Sequence, residues 1–299
     1  MKTLIIFFLS VLITSCTGGS FKEDKIFLGN KKVSADTLNL GEQVYLEYCM
    51  ACHGVNGDGN GPAAKGSIPP PRNFKQGLFK FGLVADGELP TDEDFIRIIQ
   101  KGLKGTAMLP WDVSKQQANA VTQYIKTFAP QVWEEQDGKV GTPVELDADP
   151  YSLAREQSAI AKGREVYHMV ANCQTCHQGY IPKAELSRLN EKYNGEALTE
   201  FDDDLYELKP QVSEYYFYDS KERFAQFLPP DFTWHEIRSA DTVEELAMRL
   251  AAGVTGSGMP AWKETIADHE IWAVAYYVKS LMKLKKTPQR KQFLKEIGK

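Results

Sequence analysis

Apolar residues recur at helical spacing in two separate stretches of the chain, and both stretches show the same order of features. In the first, Gly41, Val44, Tyr45 and Tyr48 fall on one side of a short helix. Thr91 followed by Asp92, Glu93 and Asp94 marks a helix start, since a threonine hydroxyl caps free amides and acids suit the positive end of the helix dipole. Phe95, Ile98 and Ile99 make the buried stripe of that helix, and Gly102 ends it. A closing helix carries Val121, Tyr124, Ile125 and Phe128 at i, i+3, i+4 and i+7. The second stretch repeats this order. Gly163 and Tyr167 keep the spacing of Gly41 and Tyr45, and Thr242-Val243-Glu244-Glu245 is a capping box leading into Leu246 and Leu250, with Gly253 at the stop. Val274, Tyr277, Val278 and Leu281 restore the closing pattern. The pattern predicts an all-α protein built from two copies of one unit, over 41–128 and 163–282, joined by a proline- and acid-bearing linker over 129–162.

Within this frame the chemistry concentrates in two short motifs. Cys49-Met50-Ala51-Cys52-His53 and Cys173-Gln174-Thr175-Cys176-His177 are both C-x-x-C-H, the attachment sequence for c-type haem. Two thiols at this spacing can each bond one vinyl group of a porphyrin, and the next histidine then lies under the iron. A thioredoxin-like pair needs a βαβ setting, whereas these flanks read as helical. The four thiols could together hold one zinc ion, but a histidine directly after each pair has no role in such a site. A structural disulfide within each pair is a third reading.

Each motif is followed at a distance by a matching loop. Gly102 to Trp111, containing Met108-Leu109-Pro110, aligns without a gap with Gly253 to Trp262, containing Met259-Pro260. Between motif and loop, Ser67 to Phe74 holds three prolines and reads as extended, echoed by Leu228-Pro229-Pro230-Asp231-Phe232. The glycine-dense stretch Gly54 to Gly61 is no phosphate loop, since Gly-Lys-Ser/Thr is absent, and reads as a tight loop passing close to a flat cofactor. The span from His177 to Met259 is the longer of the two. Its excess, about 181–227, carries Asp202-Asp203-Asp204 and Tyr215-Tyr216-Phe217-Tyr218 and reads as a surface excursion packed by its own aromatics, or alternatively as a docking insertion.

The N-terminus changes the picture of location. Lys2 and the apolar run Leu4 to Ile13 form a targeting segment over 1–16, too short to span a bilayer. Five cysteines less four in the motifs leaves Cys16, and Ile13-Thr14-Ser15-Cys16 resembles a bacterial lipobox, in which the cysteine is lipidated. The expectation is an exported protein, lipid-anchored at the periplasmic face of a membrane, with 17–40 as a flexible tether. The net charge of −5 argues against nucleic acid and suits redox partners with a basic docking surface. Residues 283–299 read as an exposed basic tail.

Taken together, Gly-x-x-x-Tyr, C-x-x-C-H, the proline stretch, the methionine beside proline and the closing aromatic helix resemble class I c-type cytochromes in tandem, the di-haem type. The resemblance implies two covalent c-type haems (haem c). Cys49, Cys52 and His53 with distal Met108 would hold one, and Cys173, Cys176 and His177 with distal Met259 the other. It also implies a proline carbonyl accepting from each ligand histidine, from among Pro69, Pro70 and Pro71 in the first copy and Pro229 and Pro230 in the second. A thioether opposite an imidazole favours Fe(II) and leaves no open position. The expected function is single-electron transfer between membrane or periplasmic redox partners rather than catalysis. The alternatives are a di-haem peroxidase or thiosulfate dehydrogenase, or a fixed subunit of a larger oxidoreductase. His168, His235 and His269 read as surface or capping residues, and Met50, Met169, Met248 and Met282 as packing.

Overall fold

A β-hairpin, not a tether, leads into the first helix. The structure, a computed structural model, describes residues 19–299 except 86, 136, 137, 152, 214–216, 219, 220, 223 and 224. Strands β1 (Lys25–Phe27) and β2 (Lys31–Val33) pair antiparallel across a turn in which Gly29 adopts φ 69°, a left-handed conformation that costs glycine nothing. Phe27, Leu28 and Val33 are buried in the first core. That burial corrects the expectation of a free tether over 17–40, at least for 25–40. The targeting segment and Cys16 lie outside the described residues.

Helix α1 (Ala35–Val44) starts on the Ser34 side chain, which accepts from the Thr37 amide. It runs into a widened π turn at Tyr45–Cys49 and then α2 (Met50–His53). Helix α3 (Asp92–Lys101) carries the reciprocal Thr91–Asp94 capping box, and α4 (Lys115–Lys126) a second one between Ser114 and Gln117. Helices α1 and α4 cross at Gly41, where a Cβ would stand 2.2 Å from the Ala120 carbonyl oxygen. The first core continues through α5 (Pro130–Trp133), whose Trp133 is fully buried against Phe79 and Phe95. This core therefore extends beyond 41–128 at both ends, because the hairpin and α5 supply apolar side chains that the helical repeat alone did not reveal.

The second half reuses the plan. Helix α6 (Glu156–Glu165) ends in a π turn at Val166–Val170, the counterpart of the first. Helix α7 (Lys183–Asn194) lies in the insertion, α8 (Val243–Ala252) has the Thr242–Glu245 capping box, and α9 (Asp268–Met282) crosses α6 at Gly163. The insertion has a small aliphatic core of its own, Ile181, Leu186, Leu189 and Leu205, with Phe201 and Tyr206 against it. Short antiparallel pairs follow: β3 (Gln211–Ser213) with β6 (Ala225–Phe227), and β4 (Phe217–Tyr218) with β5 (Lys221–Glu222). Tyr215 and Tyr216 fall outside the described residues.

The linker packs onto the second half. Val144 and Leu146 pack on the second core, and Trp272 Nε1 donates to the Asp147 carbonyl at 2.9 Å. Helix α10 (Pro288–Ile297) buries Ile297, while Arg290 reaches Asp231 at 3.1 Å and Lys299 reaches Gln178 at 2.7 Å. The basic tail is helical and largely exposed, as expected, and Arg290 and Lys299 also find acceptors on the second half. The helical class matches the sequence pattern, with strands among the described residues confined to three two-stranded pairs. No helix of the described residues is long and apolar enough to cross a membrane.

Candidate cofactor-binding site

The π turn and α2 set the first motif. Tyr45, fully buried, donates from its hydroxyl to the Gly54 carbonyl at 2.7 Å and so ties the helix before the motif to the loop after it. The glycine loop folds back on α2: the Gly59 amide donates to the His53 carbonyl at 2.8 Å and the Gly61 amide to the Cys52 carbonyl at 3.1 Å. A Cβ at Gly61 would lie 2.3 Å from the Ala51 oxygen. At Gly61 the close approach is to the chain's own backbone, while Asp58, Gly59 and Asn60 of the same loop line the cavity beside the motif.

His53 is held from two sides. Its ring stacks on Phe74 with centroids 4.5 Å apart, and its Nδ1 lies 3.1 Å from the Arg72 carbonyl oxygen. A carbonyl only accepts, so Nδ1 carries the proton and Nε2 keeps its lone pair. Burial pushes the imidazole pKa down, favouring the neutral ring that a metal needs. The acceptor is Arg72, immediately after the three prolines named from the sequence. Its main-chain oxygen has no signature in the residue type.

A cavity of about 560 Å³ opens beside this ring. Cys49, Cys52 and His53 line it together with Met108, Ile98 and Trp111. Met108 sits on a pinned loop: its amide donates to Thr106 Oγ1 at 3.0 Å, and its carbonyl accepts from the Leu103 amide at 2.8 Å. Gly102, at φ 66°, makes that return possible, since a Cβ there would be 2.7 Å from the Met108 oxygen. Burial, then neighbouring Cys52, pushes the Cys49 thiol up to about 12, so it sits as an uncharged thiol in an apolar wall.

The second half repeats the tyrosine, histidine and methionine contacts. Tyr167 donates to the Gln178 carbonyl at 3.0 Å. His177, buried, stacks on Phe232 with centroids 4.7 Å apart, and its Nδ1 faces the Pro230 carbonyl at 3.4 Å. Burial pushes its pKa down to about 4. Met259 donates to Ser257 Oγ at 3.2 Å and accepts from the Val254 amide at 3.0 Å. Cys173 and Trp262 pack into the same core as Phe232, and Cys176 follows one turn later with its backbone amide on the Cys173 carbonyl. Among the described residues, no group of three or more His, Cys, Asp or Glu is placed to hold a metal ion. The four motif thiols therefore do not assemble one zinc centre.

His168 is corrected. It is fully buried, its Nδ1 donating to the Arg164 carbonyl at 2.7 Å and its Nε2 accepting from the Tyr180 amide at 3.1 Å. His235 caps its own turn, accepting from the Asp231 amide at 2.9 Å. The sequence reading missed Phe74 and Phe232 as ring supports. Their signal was present, since both close a proline stretch. It also missed Lys80 and Arg238, which line the first cavity with Arg72.

Comparison with known proteins accords with this geometry. Residues 38–129 match the family model described as cytochrome c, which supports a c-type cytochrome in this part of the chain. A chain of the reducing HAO-like protein complex of Kuenenia stuttgartiensis superposes with a TM-score of 0.59 at 27% identity, covering 81% of this chain and 95% of that one. Among curated proteins no match is found.

Proposed function

We propose that the protein is an exported, lipid-anchored di-haem c-type cytochrome that passes single electrons between redox partners at the periplasmic face of a membrane. The observation that carries the reading is the first cavity, where two cysteines, a neutral histidine with a free Nε2 and a methionine on a pinned loop line one space of about 560 Å³. The residues fit the group. Cys49 and Cys52 would bond the group covalently, and His53 and Met108 would ligate its iron. The recurrence of the same hydrogen bonds around Cys173, Cys176, His177 and Met259 extends the proposal to a second haem.

Bound haem supplies a one-electron Fe(III)/Fe(II) couple; the chain determines how that couple behaves. The Arg72 and Pro230 carbonyls fix the tautomer of each histidine and raise its basicity. A methionine ligand would give a higher potential than a second histidine, and with both residues bound to the iron the site would have no place for substrate. Ile98, Ile99, Leu103 and Trp111 give the first site an apolar wall. Cys16 would carry the lipid, and the acidic surface would meet partners with a basic face.

A potentiometric titration of the matured protein tests this. The intact mass should show two haems, Met108→His should lower one midpoint and Met259→His the other, and the ferric near-infrared band of His/Met ligation should account for both irons. A colourless or zinc-bearing product would overturn the reading. The likeness to a chain of a reducing HAO-like complex favours a second form of it, a fixed electron-transfer subunit of a larger oxidoreductase. Stable co-purification with a partner would select that form.

A further inference from the structure

The first cavity is not lined by the first half alone. Arg238, on the segment between Phe232 and α8 of the second half, lines it together with Lys80 and Arg72. The three cations stand close enough that Arg72 and Arg238 both act on Lys80: burial, then these two charges, pushes its pKa down to about 7. Two carboxylates also line the cavity, and both are engaged within the first half. Asp94 pairs with Arg97 at 2.6 Å, and Asp58 accepts from the Asn60 amide at 3.0 Å. Arg238 is exposed at the edge of this cavity, and a cation placed there attracts an anion that enters beside it.

The segment bearing Arg238 is fixed to the loop that carries Met108. The Lys104 amide donates to the Arg238 carbonyl at 3.1 Å, next to the Leu103 amide that holds the Met108 carbonyl. Glu236 covers Gly105, where an added Cβ would be 3.1 Å from the glutamate Cβ, and Lys285 in turn pairs with Glu236. On the other side of Lys80, Arg249 donates to the Phe81 and Gly82 carbonyls, each at 2.8 Å. Both strands of contact therefore run from the second half to the residues around the first cavity.

We propose that the second half completes the first site as a binding place for the two haem carboxylates, with Arg238 supplied across the interface, so that the first centre's reduction potential depends on the second half. This rests on the reading of a haem at Cys49 and Cys52. A positive charge near the iron and its carboxylates stabilises Fe(II), so its removal lowers the potential of the first centre alone.

The test uses the mature two-haem protein carrying Arg238→Gln or Arg238→Lys, each also combined with Met259→His so that the displaced second centre identifies the first. Arg238→Gln is expected to lower the reduction equilibrium constant of the first centre roughly tenfold, about 59 mV for a one-electron couple, and to leave the second unmoved. Arg238→Lys should keep most of the wild-type value. An unchanged first midpoint with both haems in place, an equal shift of both centres, or a lysine variant as low as the glutamine one would each overturn the proposal. A wild-type protein without haem at the first motif would instead overturn the reading beneath it.

Discussion

Arg249 of the second half donates from Nη1 to the carbonyl oxygen of Gly82 in the first half at 2.8 Å, across 167 positions of sequence. The same guanidinium holds the Phe81 carbonyl and lies 5.5 Å from the centre of the Phe81 ring, with 6% of the residue exposed. Around this buried contact, Lys101 pairs with Glu245 and Lys104 with Asp241, both largely exposed and each contributing little. Arg249 is therefore the anchor of the pairing. Replacing it by methionine takes the guanidinium donor from the Gly82 and Gly253 carbonyls, while Arg97 still donates to Phe81, and the expected loss is about 3 kcal/mol. Urea unfolding followed by tryptophan fluorescence should show a lower midpoint and a broadened or split transition as the halves uncouple. Lys101→Ala, as a control, should move the midpoint by well under 1 kcal/mol.

Gly163 is expected to tolerate no side chain. Its Cβ would lie 2.0 Å from the Ala273 oxygen and 2.5 Å from the carbonyl carbon, and neither backbone atom can step aside without parting α6 from α9. Gly163→Ala should cost about 3 kcal/mol or more, read as a fall in Tm. Gly195→Ala meets no atom within 4 Å and is strained only by its left-handed φ of 86°, so it should cost about 1 kcal/mol. Equal effects at the two sites would refute the close-crossing argument.

Asp231 supports the second histidine without touching it. Its carboxylate accepts from the Thr233 amide and hydroxyl, from Tyr180 and from Arg290, and it lies between Pro230 and Phe232, the two residues that contact His177. Asp231→Ala should free the Pro230 carbonyl from its alignment and reduce the basicity of the imidazole. In the haem-loaded protein the second midpoint is expected to rise while the first stays put. Arg290→Ala, which removes the cation and keeps the carboxylate, should shift the second midpoint the opposite way.

What the sequence disclosed is what helical periodicity encodes. The caps at Thr91 and Thr242, the crossing glycines and the two methionine loops are local patterns that survive duplication. What it hid is of three kinds. Three-residue strands such as Lys25–Phe27 are too short to show alternation. The acceptor at Arg72 is a main-chain oxygen, which leaves no mark on side-chain identity. Long-range partners such as Arg249–Gly82 or Lys299–Gln178 depend on how the halves and the last helix pack. His168 shows the limit of reasoning from the repeat. Its counterpart by spacing, Leu46, is 42% exposed, but in the second half the chain at Tyr180 covers the position and closes it off.

That enclosure gives His168 a pH signature. One ring nitrogen must donate to the Arg164 carbonyl and the other must accept from the Tyr180 amide, so only the neutral ring satisfies both. Burial accordingly pushes its pKa down to about 4, against roughly 6.5 in an unfolded chain. The unfolded state then binds the proton first as pH falls, and folding stability drops as pH is lowered through this window. The contribution is fully present above pH 6.5 and lost by about pH 4, with an upper limit of about 3 kcal/mol. His168→Gln removes the titration, so although the variant is less stable at neutral pH, its Tm should fall less than that of the native chain between pH 6.5 and 4. Parallel Tm–pH curves for the two proteins would show that His168 is not the group responsible.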